Sequence, residues 1–363
     1  MRIFSVAAFF IPLATAFSAS AIDSAPARPT TKDVVNKVAV AGATGRTGRY
    51  VVEELLSRGV NVVAMVRDLD KANDVLKDLP NLQIVQCDLT QSDQIKSHVT
   101  GCDAAIWCAT GFSDAPKDTL WSKIKKRFGV ASESQPPQSI DAVGVPALAE
   151  CFSSEINGDS SRYPKVVMLS SAGVTRPSWS AEQKAMFPGS ADIPIVRLNP
   201  FGILDIKAES EQKLRQSGVE YCIIRPCGLN DKWPTGSRPI FSQGDIAVGR
   251  IHRKDLAILL VDALSTPEAV GKTFEAMTLA GYPPATSIGP ALEMFVLDKE
   301  GGPSIEQLAA TYSAMQQLLP GENQDSSGLA LGQTYEQLDK GQEGRFGQKG
   351  EERIGEIPMR PSS

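Results

Sequence analysis

The sequence predicts an α/β fold: a doubly wound parallel sheet with a small C-terminal substrate lobe. Three observations point to it. Short β-branched runs alternate with helical patterns through the middle of the chain, those runs are continuously apolar, and the first leads through a glycine-rich turn directly into a helix. At 363 residues, 42% hydrophobic and 22% charged, the chain can bury one large α/β core, or one core and a small lobe.

The elements follow in order. "KVAVAG" reads as the first strand, and "GRYVVEELLSRG" as a helix with Val51, Leu55 and Leu56 on one face. The strands "NVVAMVRD", "LQIVQCDL", "DAAIWCAT", "KVVMLSS" and "EYCIIRP" follow, separated by the helical stretches "KANDVLKDL", "QSDQIKSHV", "SIDAVGVPALAECF" and "GILDIKAESEQKLRQSG". Further on, "FSQGDIAVGRIHRKDLAILLVDAL" reads as a strand or loop entering a helix near Arg253 and Lys254, with Asp255 as an acid in its first turn. The recurring unit is the βα pair itself, with no short internal repeat.

The first βα junction, "AVAGATGRTGRYVVEEL", spaces Gly42, Gly45 and Gly48 three apart, with Arg46 and Thr47 between the last two. The first glycine permits a sharp turn, the second lets backbone approach a pyrophosphate, and the third lets helix pack on strand. The helix N-terminus then faces the phosphates. At the end of the second strand, where an acid would meet the ribose hydroxyls of NAD, "AMVRD" offers Arg67. Together with Arg46 it can clamp a 2′-phosphate, so the expected cofactor is NADP(H); a solvated Arg67–Asp68 pair is the plainer reading. Asp88 in "QCDL" stands where an adenine amino group would be met, or serves as a turn or cap residue. Thr110 and Gly111 in "CATG" are expected to pass close to the cofactor at the carboxyl ends of the strands. Arg225 and Pro226 in "IIRP" are expected to edge the nicotinamide, Arg225 serving equally well as a structural ion-pair partner.

"GATGRTG", "VRD", "CDL", "LSSAG" and "SGVEYCIIRP", in this order, resemble the atypical short-chain dehydrogenase/reductase superfamily, a Rossmann-like group. The nearest likeness is to its NmrA-like, NAD(P)H-binding branch of plastids and cyanobacteria, over about Asn36 to Gly281. The resemblance implies a serine, a tyrosine and a lysine acting together: the tyrosine exchanges a proton, the lysine lowers its pKa and holds the nicotinamide ribose, and the serine orients the substrate oxygen. Ser171 takes the serine position and Lys207 the lysine position, but Ile203 stands where the tyrosine belongs. A general acid is worth about a hundredfold to ten-thousandfold in rate, so this departure bears directly on activity. What remains is Lys207, as an acid or base in a desolvated pocket or as a ribose hydrogen-bond donor. The implied function is an NADPH-dependent reductase of a small apolar carbonyl, quinone or enone compound. The alternative is a non-catalytic NADPH-binding assembly or regulatory factor of a plastid complex.

Both ends read as separable from residues 36–319. Residues 1–35 carry an apolar run, small residues at Ala14 and Ala16, then Phe17 and a stretch rich in Ser, Thr and Ala. This is the pattern of a bipartite plastid presequence, with a simple secretory signal as the other reading. Residues 320–363 are rich in Gly, Gln and Glu and read as a disordered tail. Within an insertion at 112–138, Leu120, Trp121, Ile124 and Phe128 share a helical face flanked by Lys123, Lys125, Lys126 and Arg127, suiting a lid, a partner or an acidic membrane surface. Six cysteines without a CxxC pair and two histidines, His98 and His252, argue against a disulfide framework and a metal site. The formal charge of −5 gives no reason to expect nucleic acid.

Overall fold

The computed structural model describes residues 29–76, 79–110, 139–153, 162–191, 193–199, 202–318 and 341–343. Gly111 and the insertion at 112–138 lie outside the described residues, as do residues 1–28 of the expected presequence and all of the expected tail except 341–343.

Each apolar run forms a strand: β1 (Lys37–Ala41), β2 (Asn61–Val66), β3 (Leu82–Gln86), β4 (Ala104–Trp107), β5 (Val166–Leu169) and β6 (Tyr221–Pro226). Between them lie α1 (Gly48–Ser57), α2 (Leu69–Leu76), α3 (Ser92–Val99), α4 (Ile140–Glu150) and α5 (Ile203–Gln216), and α6 (Arg253–Ala263) comes later. Successive strand residues point to opposite faces, and here both faces are apolar. Val38, Val40, Val62, Ala64, Ala104 and Ile106 belong to the core shared with α1 and α6. Ala39, Ala41, Val63, Met65, Ala105 and Trp107 belong to the core shared with α3, α4 and α5.

The sheet order is β3-β2-β1-β4-β5-β6-β10-β8, with β8 (Arg238–Ser242) antiparallel to β10 (Lys272–Leu279) and all other pairs parallel. The order reverses at β1 and β4, which opens the ligand crevice of such sheets at their carboxyl ends. β7 (Gly228–Leu229) and β9 (Arg250–Ile251) form a separate short pair.

β8 and β10 lengthen the sheet beyond the six strands legible as apolar runs. β10 interleaves Lys272, Thr273, Glu275 and Thr278 with its apolar residues, and the fold buries these polar groups by giving them partners. Lys272 Nζ donates to Leu292 O at 2.6 Å, while Glu275 accepts the N–H groups of Asp245 and Ile246 at 3.0 and 3.2 Å. A lobe packs on this end around Trp179, Phe187, Ile246, Met277 and Met315, the last from α7 (Ile305–Leu318).

Candidate functional site

The glycine loop closes over the end of β4. Gly42 has φ +75°, and a Cβ there would stand 2.7 Å from Ala109 Cα, so only glycine fits between β1 and β4. A Cβ on Gly48 would stand 2.2 Å from Gly42 O, the close helix-to-strand approach expected of the third glycine. Gly45 N donates to Gly42 O at 2.9 Å and closes the turn, and Thr47 precedes α1 as a buried residue. The buried Thr110 Oγ1, just beyond β4, has no hydrogen-bond partner among the described residues. An unsatisfied hydroxyl at the mouth of the crevice fits a bound nucleotide.

Around the adenosine side, Arg67 is exposed at the end of β2. The adjacent Asp68 accepts Lys71 N at 3.0 Å and so caps α2. Asp88 accepts both the N–H and the hydroxyl of Thr90, at 2.9 and 2.8 Å, which is the turn role. Arg46 NH2 donates to Asp231 Oδ2 at 2.7 Å, so a 2′-phosphate clamp shared with Arg67 would have to draw it from that carboxylate.

At the other end of the crevice the structure brings Lys207 to the strand ends. Its side chain is nearly buried, and Nζ lies 3.6 Å from Oδ1 of Asp141, a carboxylate with no exposure at all. The same Oδ1 accepts the Trp107 indole N–H at 2.9 Å. Through this shared oxygen the ammonium stands near Trp107, the last residue of β4, and burial pushes the adjoining Cys108 thiol up to about 12 with the Lys207 charge acting against it. Gly144, three residues after Asp141 on the same helical face, makes this possible: a Cβ there would lie 2.2 Å from the Trp107 ring. Asp141 was not among the residues expected from the sequence; the signal was the spacing of an acid and a glycine on the buried face of "IDAVG".

Ser171 follows β5, and its hydroxyl donates to Ala172 O at 3.0 Å. The loop it opens is anchored by Asp245, a buried residue at φ +63° that accepts Gly173 N at 2.6 Å and Thr175 N at 2.7 Å. Ile203, in the tyrosine position, is buried with Val174, Val196 and Leu204. Tyr221 faces inward and donates to Asp298 Oδ2 at 2.9 Å, so its hydroxyl is committed away from the crevice.

Arg225 takes the structural alternative. Its Nε and NH2 donate to the two carboxylate oxygens of Glu211 at 2.9 and 2.6 Å, both side chains being buried. Burial alone would raise the Glu211 carboxyl, but Arg225 and Arg215 outweigh it and bring it down to about 2. Pro226 ends β6 and is buried in the sheet; its carbonyl accepts Ala172 N at 3.0 Å, tying β6 to the serine loop.

A family model described as NAD(P)H-binding matches residues 42–267. The chain belongs to this NAD(P)H-binding family. An uncharacterised chloroplast protein of Arabidopsis thaliana is 34% identical to this NAD(P)H-binding chain over 249 residues, covering 68% of this chain and 78% of that one. Protein TIC 62, chloroplastic, of Pisum sativum is 28% identical over 229 residues, 58% of this chain and 36% of its own length. The match thus spans about a third of that longer protein. A short-chain dehydrogenase/reductase from Veillonella parvula, solved in complex with NADP, superposes at TM-score 0.47 and 13% identity, covering 69% of this chain and 99% of that one. The resemblance to the atypical short-chain superfamily and its plastid branch agrees with the family match and the chloroplast relatives.

Proposed function

We propose that the chain is an NADP(H)-dependent reductase of a small apolar carbonyl, quinone or enone compound, working in the plastid without the superfamily's tyrosine. The observation that carries this reading is the buried Lys207–Asp141 pair at the end of β4. Burying an ion pair costs desolvation energy that an apolar pair would not, so its presence beside the crevice favours a use for the ammonium. NADPH, when bound, supplies a hydride. Gly42, Gly45, Thr47 and Gly48 would hold its phosphates, with Arg46 and Arg67 at the 2′-phosphate and Thr110 beside the nicotinamide half. Ser171 orients the substrate oxygen, Lys207 holds a proton at Nζ, and Asp141 keeps that ammonium in place. The chloroplast relatives and the presequence pattern at residues 1–35 support the plastid location.

The burial of Ile203 favours a second reading, a non-catalytic NADPH-binding assembly or regulatory factor of a plastid protein complex, because nothing at that position exchanges a proton. Single-turnover oxidation of NADPH against a panel of quinones and enones separates the two. The reductase reading requires Lys207→Ala to slow oxidation more than it weakens cofactor binding. Tight NADPH binding with no oxidation above the enzyme-free rate would replace it with the second reading.

A further inference from the structure

Two guanidinium groups converge on one carboxylate beside the glycine loop. Arg46 donates to Asp231 Oδ2 and Arg253 to Asp231 Oδ1, each at 2.7 Å. Asp231 lies in the turn after β7, so the contact ties the glycine loop to a segment 185 residues away. The two arginines differ in exposure. The Arg253 side chain is 8% exposed, at the start of α6, whereas that of Arg46 is 55% exposed. His252 belongs to the same cluster: its Nε2 lies 3.1 Å from Asp231 O, and its Nδ1 accepts Lys254 N at 2.9 Å. Burial pushes the Asp231 carboxyl up, but the hydrogen bonds from Arg253 and Arg46 outweigh it and hold it below the ordinary range. Asp231 is therefore a fixed negative charge next to a loop built to receive phosphates, held by the buried Arg253 and engaging the exposed Arg46 as well.

A carboxylate in that place competes with any phosphate that recruits Arg46, and specificity is set by such opposing terms as much as by attraction. We infer that Asp231 is a specificity-determining residue for the cofactor: one carrying a 2′-phosphate must exchange this carboxylate for its own phosphate at Arg46, whereas one without it leaves the pair intact. The preference for NADPH is thereby held below what Arg46 and Arg67 would otherwise give. This inference rests on the reading of the loop as an NADP(H) site.

The test titrates the full chain with NADPH and with NADH, comparing wild type, Asp231→Asn, Arg46→Ala and the double variant. Asp231→Asn is expected to raise the NADPH-over-NADH affinity ratio roughly three- to fivefold, the range of one part-exposed charge pair. In the Arg46→Ala background the same change should leave the ratio unmoved. A purely structural Asp231 would shift both affinities together, and an unchanged ratio in a wild type that binds NADPH overturns this inference alone. A wild type that binds neither cofactor overturns the NADP(H) reading with it. Asp231→Ser, checked by its melting curve, supplies a second neutral variant should the asparagine fold poorly.

Discussion

Removing the Asp141 carboxylate strands two donors, the Trp107 indole and the Lys207 ammonium. Asp141→Ala is expected to cost about 3–5 kcal/mol in urea unfolding, the range for breaking a buried pair. Asp141→Asn should cost less, since its amide oxygen still accepts the indole N–H. Restoring the missing phenol with Ile203→Tyr should not restore a conventional site, because the side chain enters a packed cluster with Val174, Val196 and Leu204. That variant should lose about 1–3 kcal/mol to overpacking, read from the same unfolding curves. The glycine turn is legible in the sequence because motif spacing fixes it, and the same spacing makes Ser171 and Lys207 the candidates. Asp141 is not, since an acid in a helix's first turn reads as dipole chemistry and only the packing of Gly144 on Trp107 turns it inward. Arg225 and Asp88 each carry a structural and a ligand reading in the sequence, and the fold supplies the structural partners, Glu211 from another element and Thr90 from a local turn.

Between elements, two buried carboxylates give opposite pH dependences. Glu211 on α5 joins that helix to β6 through Arg225, and its carboxyl sits at about 2 against an ordinary 4.5. A depressed folded value means stability present above the unfolded value and lost as pH falls, so Glu211→Gln should lower the melting temperature at neutral pH and narrow its gap from wild type in acid. Glu275 on β10 behaves inversely: burial, then the nearby Asp245 charge, push its carboxyl up to about 7. Its contribution is complete below the unfolded value and disappears as pH rises through the folded one. Glu275→Gln should therefore flatten the fall in melting temperature between about pH 4.5 and pH 7. The polar alternation that hides β10 from an apolar-run reading is the same feature that supplies this titrating group to the lobe.

For the whole molecule, a ligand that binds only the folded state should raise its melting temperature. NADPH at a hundred times its dissociation constant adds about 2.7 kcal/mol, or roughly 4–5 °C for a body of this size, in a thermal-shift assay. Gly48→Ala should abolish that shift, since its methyl group would meet Gly42 O. The doubly wound order is legible because six apolar runs with intervening helices leave few alternatives, whereas the edge strands depend on partners far along the chain. The start of the packed body also depends on distant partners. Thr31 and Val35 are both 2% exposed, and Arg58 NH1 donates to Thr31 Oγ1 at 2.9 Å. A protease that removes the expected presequence from the folded chain would find these bonds closed to it, so the first residue of the processed polypeptide, read by mass spectrometry, should be Thr31 or a residue upstream of it.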